Sequence, residues 1–326
     1  MTIIIKNNEL KKCISISNES IEIIEEAFKN LSLGNAIMPP IMRLDIEENN
    51  GEVDVKTAYI KGMDSFAIKM SPGFFDNPKI GLPSTGGLMV LLSSKTGLLE
   101  SVLLDKGYLT DIRTAVAGAI AAKYLAKKNI SNVGIIGSGA QAKLQLEALM
   151  LVRQPKELRI WSRDKIKAKN YILNIENKYK IKTLISKNPQ EVTENSELII
   201  TTTPSKIPLI KSEWLHPGLH ITAMGSDAEH KNEIDPKIIK EADLYVCDIQ
   251  SQTSILGELH HAIKAGLIDK NKKFIEIGEI INNSKEGRKN DKDITICDLT
   301  GTGVQDTAIA RLAFKKAKDK NLGLTI

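Results

Sequence analysis

The sequence predicts an α/β protein in two parts: a doubly wound parallel sheet with helices on both faces, and an antiparallel α+β unit holding the beginning and end of the chain. Three observations carry this. From residue 133 to about 298, short apolar runs alternate with helical stretches, as in a parallel sheet covered on both faces. A glycine-rich turn, Gly137-Ser138-Gly139-Ala140-Gln141-Ala142, joins the first of those runs to a helix-compatible stretch. The first hundred residues instead show extended segments punctuated by turn signals, the pattern of an antiparallel sheet. With 326 residues, 42% of them hydrophobic, the chain can fill two such cores.

In chain order, residues 20–33 carry Ile21, Ile24, Ala27, Phe28 and Leu31 at helical spacing and end at Gly34. Extended segments follow at 53–60, 65–71, 87–93 and 97–104, separated by Lys61-Gly62, Ser71-Pro72-Gly73 and Thr96-Gly97. Residues 110–127 read as a long alanine-rich helix. The parallel-sheet strands are expected at 133–136, 158–161, 183–185, 198–202, 220–224, 244–247 and 295–297, with amphipathic crossovers such as 165–178 between them. After Asp306 the spacing of Ala308, Ala310, Leu312 and Ala313 is helical again. The expected division is a substrate-binding and assembly unit of residues 1–112 with 306–326 returning to it, and a dinucleotide-binding unit of 113–305.

Composition excludes several classes. The formal charge of +5 is small, and the lysines are interleaved with acids or apolar residues. No basic stripe with stacking aromatics appears, so no nucleic-acid partner is expected. Cys13, Cys247 and Cys297 lie far apart, which argues for a reducing, cytoplasmic setting. Ile3-Ile4-Ile5 is too short for a signal peptide, and the apolar run at 88–92 is too short to span a membrane. His216 and His220 flank a Pro-Gly turn and His260-His261 are sequential, so no metal site is expected.

The chemistry-bearing residues begin with the glycine turn. Gly137 permits the tight turn out of the strand, Gly139 lets backbone approach a pyrophosphate, and Ala142 lets the helix pack closely. The helix N-terminus starting at Ala140 and Gln141 presents N–H groups to the phosphates. At the end of the second strand, where an NAD-binding protein places an acid, stand Ser162 and Arg163. A hydroxyl followed by a guanidinium suits a 2′-phosphate, so NADP is expected, with NAD as the alternative if Asp164 serves from a shifted register. Arg43 after Met38-Pro39-Pro40, Lys69 inside an apolar strand, and Arg113 opening the alanine-rich helix are cations in unusual settings. A half-buried cation needs an anion, and a ligand carboxylate fits. Asp227 follows a strand through Gly225-Ser226, at the carboxyl end where open α/β sheets bind ligands.

Taken together, the chain resembles the ornithine cyclodeaminase/mu-crystallin family. The resemblance rests on Gly81-Leu82-Pro83, Leu109-Thr110-Asp111-Ile112-Arg113-Thr114-Ala115, the glycine turn, Met224-Gly225-Ser226-Asp227, Lys231-Asn232-Glu233-Ile234, Gly257-Glu258-Leu259 and Gln305-Asp306-Thr307-Ala308. Residues 69–75 and 297–306 look most like the ectoine-utilisation cyclodeaminase-like branch. The resemblance implies a homodimer, a Rossmann-type coenzyme domain, and hydride transfer at the α-carbon of a small amino or imino acid. It implies that Arg43, Lys69 and Arg113 hold the substrate carboxylate, and that Asp227, with Lys69, is catalytic. It implies coenzyme contacts from Ser84 or Thr85 and from Arg113, Ala140, Gln141, Thr203, Met224, Gly225, Ser226 and Lys231. Two departures stand out: Ser162 replaces an acid of the cyclodeaminase pattern, and Leu299 replaces a serine. A cyclodeaminase-type deaminating cyclisation of a diamino acid is the expected reaction. The alternative is an NADPH-dependent imine reductase or amino-acid dehydrogenase. A non-catalytic crystallin-like binding protein is disfavoured by the joint presence of Asp227 and the three cations.

Overall fold

The computed structural model describes residues 1–326. They form two compact units, Met1–Arg113 with Thr302–Ile326, and Thr114–Gly301. The chain starts with β1 (Ile3–Lys6), α1 (Asn7–Cys13), α2 (Asn18–Ser32), β2 (Ala36–Ile37) and β3 (Met42–Ile46). Then come β4 (Gly51–Ile60), β5 (Ser65–Phe74), β6 (Leu88–Ser93), β7 (Leu99–Leu104) and α3 (Tyr108–Leu125). The second unit carries β8 (Asn132–Ile136), α4 (Ala140–Leu149), β9 (Glu157–Trp161), α5 (Lys165–Tyr179), β10 (Lys182–Ile185), α6 (Pro189–Glu194), β11 (Leu198–Thr201) and β12 (His220–Ala223). It continues through α7 (Lys237–Glu241), β13 (Leu244–Cys247), α8 (Gln250–Thr253), α9 (Glu258–Lys264), β14 (Ile275–Glu276), α10 (Ile277–Ile281) and β15 (Thr295–Asp298), after which α11 (Gly303–Asp319) and β16 (Leu324–Thr325) complete the first unit. No helix is long and apolar enough to cross a membrane.

In the first unit the strands run in the order β16-β1-β7-β6-β5-β4-β2, with β3 also on β4. From β3 to β7 the neighbours are antiparallel. One pair departs from the expected antiparallel pattern: β1 lies parallel to β7, because the three isoleucines near the N-terminus form an extra strand beside it. The register Lys56↔Lys69↔Met89 and Ala58↔Ala67↔Leu91 puts these six side chains on one face, since alternate residues share a face. Helix α11 packs there. Thr307 Oγ1 donates to Ala58 O at 2.7 Å and accepts from Ala67 N at 3.1 Å. Gly303 makes the approach feasible, because a Cβ there would lie 2.3 Å from Thr57 O. The chain returns at Thr302 rather than at residue 306, because Thr302 and Gln305 form a capping box that starts α11 earlier.

The second unit is an eight-stranded sheet in the order β10-β9-β8-β11-β12-β15-β13-β14, parallel throughout. Both faces are apolar, as a sheet covered by crossover helices requires. Val133, Ile135, Leu158, Ile160, Leu198 and Ile200 pack with Ala142, Leu146 and Tyr171, while Ile136, Ile199, Ile221 and Ile296 pack with Val192, Ile238 and Leu259. Strand order reverses between β8 and β11, and ligands of open α/β sheets bind outside the carboxyl ends at that point.

Candidate functional site

The turn after β8 has the geometry a dinucleotide needs. Gly137 has φ +122°, and a Cβ on it would meet Thr202 Oγ1 at 2.5 Å, so only glycine fits. Gly139 is the N-cap of α4, with no atom within 4 Å of where its Cβ would stand. No side chain caps this helix, and a helix N-terminus of this kind is where an anion binds. Ala140 and Gln141 open the helix, and Ala142 is buried with its carbonyl accepting from Tyr171 Oη at 3.0 Å. These residues fit a pyrophosphate. At the end of β9, Ser162 Oγ lies 2.8 Å from Ser138 Oγ, tying the strand end to the glycine turn. Arg163 is exposed. Asp164 Oδ1 accepts from Ile166 N and Lys167 N at 2.9 and 3.0 Å, so it caps α5. Its Oδ2 has only Lys167 Nζ nearby, at 3.9 Å.

The carboxyl ends of β11 and β12 meet on one side chain. Glu233 is fully buried; its Oε1 accepts from Thr203 N at 2.6 Å and Thr203 Oγ1 at 2.7 Å. Its Oε2 accepts from Thr201 Oγ1 at 2.6 Å and Gly225 N at 2.7 Å. Burial pushes its pKa up, and the four donors pull against that. Met224 is half-buried. Ser226 Oγ donates to Lys231 O at 2.5 Å, and His261 Nε2 lies 2.7 Å from the same carbonyl, closing the loop that carries Asp227. The Asp227 carboxylate, about half exposed, pairs with Lys231 Nζ at 2.6 Å.

In the first unit, Lys69 and Arg113 are buried and share one acid. Lys69 Nζ lies 3.0 Å from Asp306 Oδ2, and Arg113 Nε lies 2.9 Å from Asp306 Oδ1. Burial pushes Lys69 down to about 7, helped by the charge of Arg113 and opposed by Asp306. For Asp306 burial acts upward, but Arg113, Lys69 and Lys56 outweigh it and hold the carboxylate below its usual range. Asp105, also buried, accepts from Leu109 N at 2.9 Å on Oδ2 and has no partner on Oδ1. Burial pushes its pKa up. Lys56, Lys69 and Arg113 all lower the Asp306 carboxyl, and a cluster of buried cations of this kind suits an anionic ligand.

Arg43 does not share that setting. It lies on β3 opposite Asp54 and pairs with Asp45 at 2.9 Å, Asp54 at 3.6 Å and also Glu52. These acids of the same unit balance its charge. The Ser84 carbonyl accepts from Phe74 N at 2.7 Å, holding its loop to the end of β5.

The family model for ornithine cyclodeaminase/mu-crystallin proteins matches residues 2–321. The chain belongs to that family. A protein of Sinorhizobium fredii named as an uncharacterised cyclodeaminase is 53% identical, covering 98% of this chain and 97% of its own. The structure of an archaeal alanine dehydrogenase dimer with bound NAD superposes with a TM-score of 0.93 at 37% identity, over 100% of this chain and 98% of that one. The Δ1-pyrroline-2-carboxylate reductase of Thermococcus litoralis, solved with NADH and L-proline, also gives 0.93, at 29% identity over 99% and 100%. The protein is an enzyme of this family.

Two buried acids beside the candidate residues were given no role by sequence reasoning. Asp306 sits among small apolar residues in α11, and an acid at a buried helix position was the available signal. Glu233 reads as an ordinary surface acid in Lys231-Asn232-Glu233-Ile234, and only the fold reveals its four donors.

Proposed function

We propose that the protein is a nicotinamide-dependent oxidoreductase interconverting a small α-imino acid and the corresponding α-amino acid. The observation that carries this is the Lys69–Asp306–Arg113 cluster: an always-charged guanidinium and a lysine poised near neutrality around one buried acid. Lys69 and Arg113 hold the substrate carboxylate, and Lys69 can exchange a proton near pH 7. Arg43, engaged by three acids, joins this clamp by exchanging them for the substrate carboxylate. A bound nicotinamide supplies a hydride to Cα in the reducing direction and takes one in the oxidising direction. The C=N π pair then goes to nitrogen, and Asp227 gives or takes the proton there. Gly137, Gly139, Ala140 and Gln141 hold the pyrophosphate. Ser84, Thr203, Met224, Gly225, Ser226 and Lys231 make further contacts. Ser162 and Arg163 favour NADP(H), because no acid stands there to repel a 2′-phosphate. The alanine dehydrogenase and pyrroline-carboxylate reductase likenesses favour net redox over the cyclodeaminase reaction expected from sequence.

Cyclodeamination is the second reading, favoured by the Asp227–Lys231 pair and the Sinorhizobium relative's name. One experiment separates the two. The protein is incubated with catalytic NAD(P) and ornithine or diaminobutyrate, and in parallel with stoichiometric NAD(P)H and pyrroline-2-carboxylate or pyruvate plus ammonia. Net coenzyme oxidation without ammonia release from a diamine supports the proposal; ammonia released without net coenzyme change overturns it. A cytoplasmic homodimer completes the proposal, supported by three free cysteines and by exposed Ile37, Met42 and Leu44 on the first unit.

A further inference from the structure

We infer that Glu233 is the positioning residue of the coenzyme site, fixing its nicotinamide side through Thr203 and Gly225. The inference rests on the nucleotide-binding reading above. β11 and β12 are neighbours, paired from Leu198↔His220 to Thr201↔Ala223, and beyond those residues the ladder ends. From there each chain must turn, and one carboxylate takes the place of the missing ladder. It collects Thr201 Oγ1, Thr203 N, Thr203 Oγ1 and Gly225 N, all within 2.6–2.7 Å. Four hydrogen bonds gathered on one carboxyl group fix both turns relative to each other.

The surroundings allow little freedom. A Cβ on Gly225 would stand 2.3 Å from Thr203 O and 2.4 Å from Glu233 Oε2, so the two strand ends approach as closely as backbone permits. Glu233 is itself held at its backbone. Its N–H donates to Glu258 Oε1 at 2.8 Å, and its carbonyl accepts from Leu209 N at 2.7 Å and Ile210 N at 3.1 Å. Glu258, buried in turn, also accepts from Asn232 Nδ2 at 2.6 Å. The segment from Met224 to Lys231, with Asp227 within it, is therefore anchored at both ends by Glu233, through Gly225 at one end and by direct chain connection at the other. The carboxylate acts through those groups without needing to touch coenzyme.

The test is Glu233→Gln, which keeps the shape but turns an N–H₂ group towards an N–H donor. With folding checked by circular dichroism, dissociation constants for NADH and NADPH are measured by fluorescence, and KM for the imino acid at saturating coenzyme. The expected result is binding of both coenzymes weakened at least tenfold and by equal factors, because the residue lies away from Ser162 and the 2′-position, with KM changed less than threefold. Thr201→Val, which removes one donor from β11 without touching coenzyme, should weaken both coenzymes at least threefold and is the test should Glu233→Gln fail to fold. Coenzyme binding within twofold of the unmodified protein, with only a lowered melting temperature, would overturn the inference and leave Glu233 a structural acid. Absence of coenzyme binding by the unmodified protein would overturn the nucleotide reading and this inference with it.

Discussion

At Lys69, burial and the neighbouring guanidinium both act against the ammonium form, and Asp306 supports it. With its pKa brought down to about 7, the amine is cationic below that pH and neutral above it. A carboxylate substrate then loses one of its two cations as pH rises, so kcat/KM should fall through about pH 7. Lys69→Arg, whose guanidinium stays charged, should abolish that limb. A profile with the same limb in both proteins would assign the titration elsewhere. Asp227→Asn removes the group proposed to exchange the nitrogen's proton, and turnover should drop by about 10²–10⁴ with coenzyme affinity nearly unchanged; a loss under tenfold would reduce Asp227 to a partner for Lys231. The buried cations were legible because Lys69 interrupts an apolar strand and Arg113 an alanine-rich helix. Their shared acid was not, because Asp306 lies 193 residues from Arg113 and no local pattern joins them.

Among the elements, the end of β15 concentrates the unusual electrostatics of the second unit. Asp298 is fully buried, accepts from Tyr245 Oη at 2.7 Å and Leu259 N at 3.1 Å, and leaves Oδ1 without a partner. Burial raises its pKa to about 7, assisted by nearby Asp248 and opposed by those donors. Because the folded pKa lies above the unfolded value, the folded state keeps a proton that the unfolded chain sheds. Its contribution to stability is present at low pH and is lost as pH rises through about 7. Asp298→Asn cannot ionise, so its melting temperature relative to the unmodified protein should rise between pH 5 and pH 8, by roughly 2–4 °C for each kcal/mol relieved. A pH-independent difference would contradict this. Seven of the eight parallel strands were readable to within a residue or two because two-sided burial makes each a short apolar run; β14, two residues long, was not. β3 was not, because its edge position leaves Met42 and Leu44 exposed and erases the alternation. β1 was passed over because three isoleucines are too few to announce a strand on their own.

At the scale of the molecule, each unit offers one half of an oxidoreductase's chemistry. The parallel sheet ends in a glycine turn and a carboxylate-pinned loop suited to a nicotinamide coenzyme. The mostly antiparallel sheet buries Lys69 and Arg113 around Asp306, a setting suited to an anion. Fold class and family were legible because both depend on patterns spread along the whole chain. The reaction was less so, because reductase, dehydrogenase and cyclodeaminase chemistry draw on the same residue types. The central claim is hydride transfer to the α-carbon of an imino acid. The direct measurement supplies NAD(P)H carrying deuterium at both C4 positions together with pyrroline-2-carboxylate, and analyses the product by mass spectrometry and NMR. The account predicts proline with one deuterium at Cα and one coenzyme oxidised per product formed. Proline without deuterium at Cα, or no net oxidation of coenzyme with any imino acid offered, would contradict it.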